Sequence, residues 1–159
     1  MVKKAQIKQE VQVVGFYLGN DEYAITIAKV REIQSMTEIR KVPKAPKFVE
    51  GVINLRGRIL PIIDLRKRFE LPPAVDPAQA KILIVEFNRN HVGLVVDNVS
   101  EVIRLYSDQI EKTPDIFSLS IDSRYISGVA KLDDRLIILL DVEKLLSFEE
   151  QNALAGFKS

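Results

Sequence analysis

Residues 18–33, LGNDEYAITIAKVREI, lie over residues 87–102, FNRNHVGLVVDNVSEV, at a constant offset of 69. The turn residues coincide, as do the apolar pairs Tyr23/Val92, Ile25/Leu94 and Ile27/Val96, the small pair Ala24/Gly93 and the identical pairs Val30/Val99 and Glu32/Glu101. A second block repeats at an offset of 77, where residues 51–65, GVINLRGRILPIIDL, match residues 128–142, GVAKLDDRLIILLDV, with five of fifteen positions identical. The offsets differ because the second copy carries a longer connection between its blocks. A unit repeated in this way predicts two similar subdomains that meet along a seam, and a seam is a natural place to hold a partner.

Within each unit the period is that of strands. Tyr23, Ile25 and Ile27 alternate with Ala24 and Thr26, after a strand over 11–18 and a turn at Gly19-Asn20-Asp21. Val30 and Ile33 sit three apart, the spacing of a short helical turn over 28–33. Residues 49–55 and 58–64 read as a second hairpin across Arg56-Gly57, and Asp64 as the cap of a short helix carrying Leu65 and Phe69. In the second copy, 81–87 is a continuous apolar run expected of a buried strand, with 92–96 as its partner. Residues 103–124 form the longer connection, 125–132 and 136–141 pair across Asp133-Asp134, and Asp141 caps a last helix over 142–148 with Val142, Leu145 and Leu146 inward. Many short strands with few helices give an all-β fold of two small barrels packed side by side. The expected subdomains are 11–80 and 81–148, joined by the proline-rich stretch 70–79, with 11–18 free to cross into the second barrel. Residues 1–10 and 149–159 read as loose tails.

The chain has 159 residues, 47% of them apolar, and a formal charge of +1. Each copy is near the size at which one core is only marginally stable alone, so the two are expected to share apolar surface. The balanced charge gives no broad field for nucleic acid or anionic lipid. With no cysteine there is neither a disulfide framework nor a thiolate site. The polar start is not a secretory signal, and no run approaches the ~20 apolar residues that cross a bilayer. These features predict a soluble, cytoplasmic protein with no direct membrane insertion.

The same residues argue against catalysis. His91 is the single histidine and reads as a solvated turn residue. Asp133-Asp134 reads as a turn, the glycines form no phosphate cradle, and the serines lack a nucleophile elbow. No metal or other cofactor is called for. The basic set Arg56, Arg58, Arg66, Lys67 and Arg68 raises a nucleic-acid reading, but the strands are aliphatic and tryptophan is absent, so solvated faces and intramolecular pairing are the better account. If the subdomains lie side by side, Val14, Ile27, Val30 and Ile33 approach Val99 and Val102 across the seam, either as plain core or as a binding surface. Arg56 stands where it can pair with Glu32.

Three stretches, FYLGNDEYAI from Phe16, KVREI from Lys29 and FVEGVINLRGRILPIIDL from Phe48, resemble the CheW family of bacterial chemotaxis adaptors. So do VGLVVDNVSEV from Val92 and the closing DRLIILLD from Asp134. The resemblance runs from about Val11 to Phe148, nearly the whole chain, and implies two SH3-like five-stranded barrels. It implies a non-enzymatic scaffold that links chemoreceptor cytoplasmic tips to the chemotaxis histidine kinase, recruited to membrane-associated receptor arrays. The receptor's helical hairpin is then expected in the groove between barrels, at Val14, Ile27, Val30, Ile33, Val99 and Val102. Glu32 and Arg56 would be a polar pair beside the groove and Gly93 a close-approach position within its strand, all three counted among the receptor-binding residues. Contacts with the kinase regulatory domain are expected at barrel ends, at Val42 and Pro43 and at Asp115 and Ile116, the last standing where family members often carry an aromatic.

Overall fold

The computed structural model describes residues 9–74, 77–111 and 122–157. Among the described residues, eleven strands form two sheets. The first sheet contains β1 (Glu10–Leu18), β2 (Asp21–Thr26), β8 (Asn98–Tyr106), β9 (Ile110–Glu111), β10 (Ile126–Leu132) and β11 (Arg135–Leu140), in the order β8-β1-β2-β11-β10-β9. The second contains β3 (Val30–Ser35), β4 (Gly51–Leu55), β5 (Arg58–Asp64), β6 (Lys81–Phe87) and β7 (Asn90–Val96), in the order β3-β6-β7-β5-β4. The fold is mostly β with a few short helices, as the strand periodicity predicts.

The sheets do not follow the division into 11–80 and 81–148. Both strands of the first hairpin, not 11–18 alone, lie in one sheet with the second copy's β8 to β11, while β6 and β7 lie with the first copy's β3 to β5. Each exchange is sealed by a parallel pairing, β2 on β11 and β7 on β5. The cause is the connector. A single 3-10 turn, Ile27–Lys29, leads from β2 to β3, and Asp97 alone separates β7 from β8. Such links carry the chain onward to the other sheet, whereas folding back in the same sheet takes a hairpin loop.

Side-chain alternation then divides the core in three. Val13, Ala24, Ile103, Leu105, Ala130, Ile137 and Leu139 fill the first barrel, and Ile53, Leu60, Ile62, Ile82 and Ile84 fill the second. Their neighbours in sequence, among them Val14, Tyr23, Ile25, Ile63, Leu83, Val85, Leu94, Ile138 and Leu140, form the cluster that joins the barrels. Strands such as Lys81–Phe87 are buried on both faces, which is why they read as unbroken apolar runs.

Local chemistry sets the ends. The carboxylate of Asp64 accepts from Arg66 N at 2.9 Å and caps α1 (Leu65–Arg68), and that of Asp141 accepts from Glu143 N at 3.0 Å. The second cap opens only a 3-10 turn, Val142–Lys144, in place of the helix expected over 142–148, though Val142, Leu145 and Leu146 are buried as expected. The segment expected to be a loose tail is helical over α2 (Phe148–Phe157), with Leu154 in the central cluster. The helical turn expected over 28–33 is confined to Ile27–Lys29, and Val30–Ser35 is a strand.

Candidate functional site

Two edge strands, β3 and β8, flank the seam, and both carry a bulge. On β3 the register shifts between Val30, opposite Val85, and Glu32, opposite Ile84. On β8 the three-residue step from Val99 to Val102 lies opposite the two-residue step from Phe16 to Val14. A bulge inserts one residue and changes side-chain parity. Val30 and Ile33 therefore both lie on the seam side, opposite Val85 and Leu83 of the joining cluster, and Val99 and Val102 both lie opposite Phe16 and Val14 of the same cluster.

The predicted apolar set thus divides by burial. Val14 is only 2% exposed and belongs to the core, so it is out of a partner's reach. Val30 and Val99 are partly buried against the joining cluster. Ile27, Ile33 and Val102 are 39%, 45% and 54% exposed. Gly93 is not on this surface. A Cβ there would lie 2.5 Å from Ile62 Cδ1 and 2.8 Å from Ile82 Cγ2, so the position faces the packed interior of the second barrel.

Glu32 lies on the opposite face of β3 from Ile33, where its neighbour Ile84 points into the second barrel. Arg56 reaches it from the β4–β5 turn, where it holds a φ of 52°, and donates from Nη1 at 2.9 Å and Nη2 at 2.6 Å to the two carboxylate oxygens. The hydrogen bond from Arg56 holds Glu32 below the usual carboxylate range. Arg58 adds its field to the same carboxylate. Its Nη2 donates to His91 Nδ1 at 3.1 Å. Arg58 shares its strand face with Leu60 and Ile62, and His91 shares its own with Gly93, so the four polar residues stand over one mouth of the second barrel.

The equivalent mouth of the first barrel, missed by the sequence reading, is built from Glu22, Ser100, Glu101 and Arg135. Arg135 donates to Glu22 from Nε at 3.2 Å and Nη2 at 2.7 Å, and to Glu101 from Nη1 at 2.9 Å. Ser100 Oγ donates to Glu22 at 2.8 Å. Glu22 is 8% exposed, and its hydrogen bond holds the Arg135 guanidinium above its ordinary value. The duplicated alignment contains every one of these positions, but identity alone did not reveal that they converge.

Of the five basic residues 56–68, four have carboxylate partners: Arg56 with Glu32, Arg66 with Asp97, Lys67 with Glu50 and Arg68 with Glu150. Val42 and Pro43 lie in the connector between β3 and β4, with Val42 half-buried and its carbonyl accepting from Ala45 N at 3.0 Å. Asp115 and Ile116 lie outside the described residues. Among the described residues no cluster of three or more His, Cys, Asp or Glu could hold a metal, and no helix is long and apolar enough to cross a membrane.

Comparison with known proteins gives this geometry a family. The model of the CheW-like domain matches residues 12–150. This chain belongs to that family. It is 42% identical over 135 residues to the chemotaxis protein CheW of Klebsiella aerogenes, covering 85% of this chain and 81% of that one. It is 34% identical over 152 residues to the chemotaxis protein CheW of Treponema pallidum, covering 93% and 89%. The crystal structure of scaffolding protein TtCheW from Thermoanaerobacter tengcongensis is similar with a TM-score of 0.80 at 37% identity, over 89% of this chain and 96% of that one. CheW-like proteins are chemotaxis scaffolds, and the paired-sheet fold is shared.

Proposed function

We propose that this chain couples the cytoplasmic tips of chemoreceptors to the chemotaxis histidine kinase, acting without catalysis in the cytoplasm at receptor arrays. The receptor's helical hairpin lies along the seam, with Val30 and Val99 as floor and Ile27, Ile33 and Val102 as walls, and the kinase regulatory domain meets the barrel ends near Val42 and Pro43 and near Asp115 and Ile116. The observation that carries this reading is the pair of bulged edge strands. They turn Ile33 and Val102 toward the same apolar seam and leave both accessible. An amphipathic helix presents aliphatic side chains at i, i+3, i+4 and i+7, which suits such a strip. Burial of ~600–800 Å² per partner gives a reversible contact, and linkage of many such contacts gives a stable array.

The test is an NMR titration of labelled protein, first with a receptor-tip fragment and then with the kinase regulatory domain. Receptor-induced shifts are expected at Ile27, Ile33, Val99 and Val102, and kinase-induced shifts at separate positions. In calorimetry Ile33→Asp and Val102→Asp are expected to weaken receptor binding by about tenfold or more, with the fold retained. Unchanged affinity in both variants would reject the groove, and overlapping shift sets would replace coupling by competition.

A further inference from the structure

The duplicated alignment pairs His91 with Glu22, Glu32 with Glu101, Arg56 with Asp133 and Arg58 with Arg135. At these aligned positions the first barrel has three carboxylates and one guanidinium, and the second two guanidiniums, one carboxylate and an imidazole. Arg135 is clamped by Glu22 and Glu101. Arg58, at the matching position, meets an imidazole nitrogen where Arg135 meets a carboxylate, and the nearby Glu32 is already taken up by Arg56 at both oxygens. A guanidinium has no acceptor, so in the 3.1 Å contact Arg58 is the donor toward the His91 ring. Among the described residues no carboxylate lies within ion-pair distance of Arg58, and the side chain is exposed. On the strand beside His91, Glu86 stands opposite it and is engaged by Arg31.

The geometry points to Arg58 as the docking site for a carboxylate on the partner, with His91 steering the guanidinium and Arg56–Glu32 fixing its other side. This rests on the receptor-coupling reading above and adds to it a chemistry: the face of the receptor hairpin that meets this mouth carries Asp or Glu. A carboxylate supplies to Arg58 what Glu22 supplies to Arg135, a fork-to-fork pair that a lysine or an amide would not reproduce. The first mouth, whose cation is satisfied within the chain, offers no such place.

Two titrations of the full chain, followed through arginine Nε–Hε resonances, test this. A short helical peptide bearing glutamates at i and i+4 is expected to move Arg58, and to leave Arg135 in place. Equal movement of both, or of neither, overturns the proposal. A receptor-tip fragment is then measured by calorimetry at low and high salt. Arg58→Gln is expected to cost about tenfold in affinity and to flatten the salt dependence, with Arg58→Lys recovering part of the loss. If the fragment binds and Arg58→Gln has no effect, the carboxylate site is wrong while the groove stands. If the acidic peptide moves Arg58 but the wild-type chain fails to bind the fragment, the carboxylate site stands and the receptor reading falls. Loss of kinase-domain binding instead of receptor binding overturns the choice of partner.

Discussion

At equivalent places in a duplicated unit, the first barrel ends in Glu22, Glu101, Asp133 and Arg135, and the second in His91, Glu32, Arg56 and Arg58. Both sets stand over an apolar barrel interior, but they have different tasks. In the first, a carboxylate that is 8% exposed is satisfied by Arg135 and Ser100, so the network closes on itself. In the second the charges stay at the surface, and Arg58 faces an imidazole rather than a carboxylate. Duplication supplies two copies of a polar lid. One copy holds the fold, and the other is left accessible.

The largest effect should come from the closed lid. Glu22→Ala removes two of the three hydrogen bonds of Arg135 and the acceptor of Ser100, and leaves a cation without its buried partner, a change expected to cost about 3 kcal/mol. Urea denaturation measures it. A loss no greater than that of an exposed pair would mean that the two lids do not differ in this way.

Gly93 sharpens the comparison from inside the second barrel. A methyl group there meets Ile62 Cδ1 at 2.5 Å and Ile82 Cγ2 at 2.8 Å, so Gly93→Ala is expected to destabilise by about 2 kcal/mol through overpacking. Receptor affinity per folded molecule should stay unchanged. Altered affinity at full folding would return Gly93 to the binding surface from which its burial removes it.

These residues also show what the sequence could and could not disclose. The run over 81–87 was legible because burial on both faces leaves an unbroken apolar signature. The spacing of Val30 and Ile33 was legible as a pattern but not as its cause. Three residues apart is a helical period, and it is also what a bulge produces when it flips parity within a strand, as the register beside Val85 and Ile84 shows. The reciprocal placement of β1–β2 and β6–β7 left no local trace, because every strand keeps its periodicity whichever sheet receives it. Arg56–Glu32 could be inferred from charge and turn position. The Glu22–Arg135 pair, which joins residues 113 apart, needed the three-dimensional exchange of hairpins.

The ties that hold those exchanged hairpins also differ between the copies. Arg66, from α1, donates through Nε to Asp97 at 2.7 Å, and Gly19 N donates to the same carboxylate at 2.7 Å. In the other copy the polarity reverses: Glu143, aligned with Arg66, accepts from Lys29 Nζ at 2.8 Å, one residue beyond the position aligned with Asp97. The hydrogen bond from Arg66 holds the Asp97 carboxyl below its ordinary value in the folded chain. A folded-state value depressed below the unfolded one stabilises above the unfolded value, and that stability is lost as pH falls through the acid range. Asp97→Asn is expected to lower stability by about 1 kcal/mol at neutral pH and to flatten its acid limb. Urea midpoints from pH 7 down to pH 3 follow this directly, and an unaltered acid limb would remove Asp97 from the account.

The smallest effect on stability belongs to the open lid, and its smallness is informative. Arg56 and Glu32 meet with good two-point geometry, yet Arg56 keeps two thirds of its side-chain surface in water, at 67% exposure. Exposed pairs of this kind contribute little, because solvent screens them and ordering two long side chains opposes them. Arg56→Ala and Glu32→Gln should therefore leave the urea midpoint within scatter, singly and together. The same double-mutant cycle run on receptor affinity should show coupling, since docking a helix against the mouth desolvates the pair. Coupling in stability but not in binding would invert the assignment, making the second mouth the structural one and leaving Arg58 a bystander.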